Sequence, residues 1–177
     1  MPRDRHIAKG LFAGLVGGLI GTIVMTEFQN GWSAASKALN NGKAGGNSGA
    51  QEQQAEQEKE DATMKAAGKI AELMGHQLSH EQKKKLGPLV HYSFGTLQGA
   101  VYGGITEMAG DSGSLLPGLI FGAALFLAAD EAAVPALGLS GKPAEYPLSS
   151  HLYGLASHLV YGLSADIARR GFRAALE

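Results

Sequence analysis

Residues 148–170, LSSHLYGLASHLVYGLSADIARR, decide the fold class of this chain. The run is mostly apolar, is long enough to cross a bilayer, and ends in two arginines of the kind that mark a cytoplasmic boundary. His151 and His158 are seven residues apart, so they face the same side of a helix. The stretch therefore predicts a transmembrane helix that carries titratable groups on one face.

Three further windows are long and apolar enough to span a membrane. The four predicted spans cover residues of about 7–28, 88–109, 115–137 and 148–168. The mean hydropathy of −0.02 hides them, because it averages these runs with a strongly polar stretch at about 40–85. We therefore predict an all-α fold, a four-helix transmembrane bundle forming one membrane domain over residues 1–177. A secretory signal peptide is the alternative for the first span, but its apolar core is longer than such peptides carry.

The composition excludes several classes of protein. A formal net charge of −1 over 177 residues gives no polyelectrolyte character, so we expect no nucleic-acid partner. The absence of cysteine excludes disulfides, thiolate catalysis and cysteine-ligated metal sites. No familiar catalytic motif occurs, so an enzyme is the less favoured class. The expected partner is the lipid bilayer.

Glycines recur every four residues in the first two spans. Gly14 and Gly18 form one ladder, and Gly95, Gly99 and Gly103 form the other. In lipid this spacing lets two helix backbones approach closely. We expect the ladders to pack helices together, either against each other or against a second copy of the chain, and we therefore predict a homo-oligomer.

Residues 30–87 form a polar, partly helical loop between the first two spans. Within it an amphipathic helix is predicted, with apolar residues at spacings of three and four: Met64, Ala67, Ile70, Leu73 and Met74. We expect this helix to lie on the membrane face or on the end of the bundle. Gly75 is its predicted stop, and Ser79 with Gln82 resembles a capping box for the next helix. Pro88 is expected in the first turn of the second span.

Six titratable residues fall at one end of an up-down-up-down bundle. They are Glu27, His91, Asp130, Glu131, His151 and His158. His158 and Asp130 lie deep enough in their helices to meet near the bilayer centre. Placing a carboxylate in hydrocarbon costs on the order of several kcal/mol unless it is paired, protonated or facing water. These residues therefore need partners.

Three interpretations of this cluster remain open. The first is interhelical hydrogen bonding that fixes the packing. The second is a pathway for protons or small cations, because histidines and carboxylates titrate and relay protons. The third is a metal or haem site, with His91, Asp130 and His158 as candidate metal ligands. The sequence requires no cofactor. A further metal set, Glu72, His76 and His80, is disfavoured because Gly75 and Ser79 interrupt its helix.

Charged residues also gather at the opposite end of the predicted bundle. They are Glu107, Asp166, Arg169 and Arg170. We interpret them as solvated helix ends in preference to interfacial ion pairs, because exposed pairs contribute little.

The spans resemble those of the YagU-like family of small bacterial inner-membrane proteins. The last span carries the resemblance most clearly, through His158-Leu159-Val160, Tyr161, Asp166 and Arg169-Arg170. The second span is similar through His91, Phe94, Tyr102 and Glu107, and the third through Gly118-Leu119, Gly122-Ala123, Pro135 and Gly138-Leu139. The chain departs from the pattern at Asp130, where the family leads us to expect a histidine, and in its Gln/Glu-rich first loop.

The resemblance implies a multi-pass protein of the bacterial cytoplasmic membrane and a role in acid tolerance, but it supplies no reaction. Basic residues flank both ends of the predicted membrane domain: Arg3, Arg5 and Lys9, then Arg169, Arg170 and Arg173. They predict that both termini are cytoplasmic. The leading functional hypothesis is a protein that relays, senses or conducts protons or small cations. A structural membrane or assembly protein is the alternative, and a metal- or haem-binding protein is the second alternative.

Overall fold

Five helices make up the fold, with every regular element of the described ranges helical. The structure, a computed structural model, describes residues 6–41, 60–110 and 113–176. The helices are α1 (Ile7–Asn41), α2 (Ala62–Leu73), α3 (His80–Ala109), α4 (Leu116–Ala136) and α5 (Leu148–Ala175). The all-α prediction is confirmed. Arg3, Arg5 and the part of the predicted polar loop at 42–59 lie outside the described residues.

Two of the helices are long and apolar enough to cross a membrane. They are α1, over Ile7–Leu39, and α4, over Leu116–Ala136. The windows predicted as the second and fourth spans lie in α3 and α5, where histidines, serines and charged side chains lower the hydropathy. By length and composition, the helices therefore show two candidate membrane spans and not the predicted four.

Helix α1 lies between α3 and α5 and runs antiparallel to both. Gly10 faces Glu107, and Gly18 faces Gly95 and Gly99, so the two glycine ladders contact each other within one chain. On its other side α1 meets α5, where a Cβ atom placed on Gly17 would lie 2.6 Å from the carbonyl oxygen of Ala165. Both crossings are backbone-to-backbone contacts that only glycine permits.

Helix α4 packs against α5 through a third glycine contact. A Cβ atom on Gly118 would lie 2.7 Å from the carbonyl oxygen of Gly162, and Gly122 faces the backbone of His158. The two helices are antiparallel, because residue numbers rise along α4 as they fall along α5. In the most apolar 18-residue stretch of α4 only 17% is buried, so most of this helix faces outward.

The apolar core lies halfway along the bundle. Met25, Tyr161 and Ala165 are buried there, with Phe121 and Leu125 packed against them. Tyr102 of α3 stacks on Phe121 of α4 with ring centroids 4.7 Å apart, which joins the two outer helices. The Tyr161 hydroxyl donates a hydrogen bond of 2.6 Å to the carbonyl oxygen of Gly95. This layer separates the polar groups at the two ends of the bundle.

Helix α2 lies across the end of the bundle, from α3 to the end of α4. Its buried residues are Met64 and Ala67, and Met64 contacts Gly87 of α3. At its other end the Lys69 ammonium donates a hydrogen bond to the carbonyl oxygen of Leu137. A helix is thus present where the amphipathic helix was predicted, and of its five apolar residues Met64 and Ala67 pack on the bundle end.

The predicted helix boundaries around α2 and α3 are confirmed, with one exception. Gly75 follows α2 with φ +80°, which suits glycine. Ser79 and Gln82 form the predicted capping box at the start of α3. Pro88 was expected in the first turn of this helix, and that was wrong, because the capping box starts α3 at His80 and leaves the proline inside it.

The attachment of α2 should weaken in acid. Lys83 donates hydrogen bonds of 2.9 and 3.1 Å to the Glu60 carboxylate, and this bond holds the pKa of Glu60 below its ordinary value. A carboxylate with a lowered pKa stabilises the folded form above its ordinary pKa of about 4.3, and that stability is lost as the pH falls through the lowered value. We expect the protection factors of the α2 amides, the ratios of intrinsic to observed exchange rates, to fall over that range. In Glu60→Gln they should be lower at neutral pH and should lose this acid dependence.

Candidate functional site

A π-helical segment, Phe126–Ala133, interrupts α4 and carries two adjacent carboxylates. Its hydrogen bonds run five residues back, as in the bond from the Val134 amide to the carbonyl oxygen of Ala129. Such segments often occur at functional sites, because they present side chains at angles that an α-helix does not offer. Here the segment places Asp130 and Glu131 side by side opposite α5.

Glu131 pairs with His151, in the first turn of α5. His151 Nδ1 lies 2.6 Å from Oε1 of Glu131. The other ring nitrogen, Nε2, lies 3.1 Å from the carbonyl oxygen of Pro143, in the connection before α5. Both nitrogens face acceptors, so the imidazolium form of His151 satisfies both bonds and the neutral form satisfies one.

Asp130 faces His158, two turns further along α5. His158 Nδ1 lies 3.7 Å from Oδ2 of Asp130 and donates a 2.9 Å hydrogen bond to the carbonyl oxygen of Gly154. The Phe126 ring flanks this imidazole, with centroids 5.7 Å apart. His158 is buried, whereas the Asp130 side chain is 44% exposed. The pair therefore joins a buried base to an accessible acid.

His91 of α3 completes the inner part of the cluster. It is near enough to His158 and Asp130 to interact with both electrostatically. Its Nε2 atom is buried and has no hydrogen-bond partner among the described residues. Burying a ring nitrogen without a hydrogen-bond partner costs free energy. This nitrogen can therefore gain a partner by accepting or donating a proton within the cluster.

A cavity of about 250 Å³ gives access to this site. Asp130, Glu131 and His151 lie on its wall together with Phe126 and Tyr146, and Ala62 of α2 lies at its edge. The cavity opens at the end of the bundle where α2 crosses. Two carboxylates and one imidazole thus face a space large enough for water.

Two of the residues singled out in the sequence analysis stand apart from the site. Glu27 is exposed on α1 and forms none of the hydrogen bonds or ion pairs described for this cluster. His80 contacts Glu60 at 3.6 Å, at the α2 attachment, and not Glu72. Within the described ranges no group of three His, Asp or Glu side chains is placed to hold a metal ion.

The charged residues at the opposite end form a buried ion network. Asp166 is 0% exposed and accepts hydrogen bonds from Arg169 at 2.8 and 3.1 Å and from Arg170 at 2.9 Å. Arg173 of α5 and Glu107 of α3 form a two-bond pair at 2.8 and 3.0 Å. The interpretation as solvated helix ends was therefore wrong, because these ends lie against each other and exclude water.

Sequence reasoning missed the contacts of two buried residues, Arg173 of the ion network and Tyr161 of the core. Arg173 follows Asp166 by seven residues and Arg169 by four, so the three share one face of α5, and this spacing was a usable signal. The bond from Tyr161 to the Gly95 carbonyl depends on a contact between distant helices and left no signal in the sequence.

No family model, curated protein or solved structure matches this chain.

Proposed function

We propose that this chain is a four-span protein of the bacterial cytoplasmic membrane that takes up and relays protons, or small cations, through its His/Asp/Glu cluster. The observation that carries the proposal is the pairing of two adjacent carboxylates on the π-helical segment with two histidines of α5. Histidine titrates near neutral pH, and ionisable residues inside a membrane domain are functional candidates.

The arrangement suits stepwise proton transfer. Asp130, Glu131 and His151 line the cavity, and the buried His158 lies behind Asp130. A proton taken up from the cavity by Asp130, or by the neighbouring Glu131–His151 pair, has the buried His158 as its next acceptor. From there the apolar core, with the Tyr161 and Tyr102 rings, lies between the cluster and Asp166.

The flanking charges and the resemblance of the spans to the YagU-like family support the membrane setting of this proposal. With both termini in the cytoplasm, the cluster opens on the periplasmic side, so it meets protons from outside the cell. This orientation and the YagU-like resemblance together support a role in acid tolerance. A homo-oligomer is also part of the proposal, but its contact must use a surface other than the two glycine ladders, which face each other within one chain.

Proton flux into liposomes tests the conducting form of this proposal. We expect wild-type protein to raise the flux above that of empty liposomes, and Asp130→Asn and His158→Ala to return it to that level. Glu27→Gln is the matched control, because this carboxylate of α1 lies at the same end of the bundle as the cluster but outside it. The flux of this variant should equal that of wild type.

A sensing protein would bind protons without passing them. The only tryptophan, Trp32, contacts Tyr153 with ring centroids 5.8 Å apart, and Tyr153 lies on α5 between His151 and His158. Its fluorescence should therefore titrate with pH, and the transition should be lost in Asp130→Asn and His158→Ala. If both Asp130→Asn and His158→Ala showed the same flux and the same fluorescence titration as wild type, the proton relay would be overturned.

A structural membrane protein is the second candidate function. The buried network around Asp166 and the three glycine contacts favour it, because they fix the helices rather than open a path. This candidate predicts equal flux in every variant named above, together with a large loss of stability when Asp166 is changed.

A further inference from the structure

We propose that α2 is an interfacial helix whose last turn inserts into the lipid headgroup region of a bilayer. This inference rests on the proposed membrane location and adds a surface that contacts lipid outside the spans. It starts from three apolar side chains at the end of α2, Ile70, Leu73 and Met74, which are exposed. Leu73 is 89% exposed, so the bundle does not cover it.

The bundle covers only the N-terminal part of the apolar face of α2. Met64 and Ala67 are the buried residues, and Lys69 reaches the end of α4. Packing therefore leaves the C-terminal end of this apolar face, at Ile70, Leu73 and Met74, uncovered. An amphipathic helix at a membrane surface buries such a face to a shallow depth among the headgroups.

The level of α2 along the bundle matches a membrane boundary. It contacts α3 at Gly87 and Lys83 and α4 at Leu137, which are the limits of the predicted second and third spans. A helix attached at these points lies across the ends of two apolar windows, at the height where hydrocarbon gives way to headgroups.

An aromatic cluster marks the same level independently. Trp32 of α1 packs on Phe28 and on Tyr153 of α5, with centroids 6.0 and 5.8 Å apart. Since α1 and α3 are antiparallel and Gly18 faces Gly95 and Gly99, Trp32 lies about level with residues 81–85 of α3. Tryptophan and tyrosine are enriched at membrane–water interfaces, so this level is the interface.

Helix α3 also exposes apolar side chains within the predicted second span. They are Leu89, Leu97, Val101 and Ile105. Lys84 and Lys85 are exposed just before this span, where lysines suit the headgroup level. A lipid surface fits this combination of apolar and cationic groups. We therefore infer that the exposed end of α2 contacts the bilayer and not a second copy of the chain.

Site-directed spin labelling in vesicles of phosphatidylcholine and phosphatidylglycerol tests the inference. The chain has no cysteine, so each introduced cysteine is the only labelling site. We expect oxygen to broaden the label at Leu97→Cys most, the label at Leu73→Cys less, and the label at Glu72→Cys least, with a water-soluble nickel complex giving the reverse order. Glu72 is the matched control, because it is exposed one residue away, about 100° round the helix.

Each result separates the two proposals. If Leu97 is in lipid and Leu73 is as accessible to nickel as Glu72, the interfacial helix is wrong and the membrane protein stands. If Leu97 itself is in water, the membrane location fails. Spin–spin broadening between copies at Leu73 would show that a second chain covers this face, and it would also overturn the lipid contact.

Discussion

Replacing Asp166 by alanine should destabilise the folded protein by about 3–5 kcal/mol, the usual cost of removing one partner from a buried ion pair. Asp166 accepts hydrogen bonds from both Arg169 and Arg170, and Arg169 is only 3% exposed. Without the carboxylate, Arg169 keeps its charge in a region from which water is excluded. The midpoint of thermal unfolding in detergent measures the effect.

Two comparisons make this result specific. Asp166→Asn keeps the size of the side chain and removes the charge. The stability that this variant loses therefore measures the electrostatic part of the Asp166→Ala effect. Glu72→Ala removes an exposed carboxylate and should change stability by less than about 0.5 kcal/mol. An Asp166→Ala protein with the midpoint of wild type would show that the buried network contributes nothing to stability.

Adding a single methyl group to α1 should have opposite effects at two glycines. A Cβ atom on Gly18 would lie 2.6 Å from the carbonyl oxygen of Gly95 and 2.8 Å from the Cα atom of Gly99, so Gly18→Ala forces α1 and α3 apart. Overpacking of this kind costs about 1–3 kcal/mol. Gly31 has nothing within 4 Å of such an atom, and Gly31→Ala should gain up to about 1 kcal/mol from helix propensity.

The same unfolding measurement in detergent compares the two variants. Because both add one methyl group to the same helix, general effects of the substitution cancel. Equal midpoints for Gly18→Ala and Gly31→Ala would contradict the backbone contact between α1 and α3.

Local rules predicted the parts of the fold that depend on neighbouring residues. The end of α2 at Gly75 and the capping box at Ser79 could be predicted, because each is a contact within a few residues of chain. The proximity of His158 and Asp130 was also expected, since residue depth in antiparallel helices fixes which residues share a level.

Rotation about the helix axis could not be predicted in the same way. Glu27 shares the level of the cluster, but it lies about 200° round α1 from the buried Met25 and therefore faces outward. The network around Asp166 was missed for a related reason. Charges near helix ends are usually solvated, and only the contact between α3 and α5 shows that these are enclosed.

The π-helical segment has a consequence for chain length. Its five-residue hydrogen bonds accommodate more residues per turn than an α-helix does. Deleting one residue within 126–129 would restore the α-helical pattern and leave the Gly122 contact, which precedes the deletion, in place. The carboxylates beyond the deletion would turn by about 100° away from α5. A single-residue insertion or deletion, without any change of side-chain chemistry, is thus enough to create or remove the His–carboxylate pairs in a bundle of this fold.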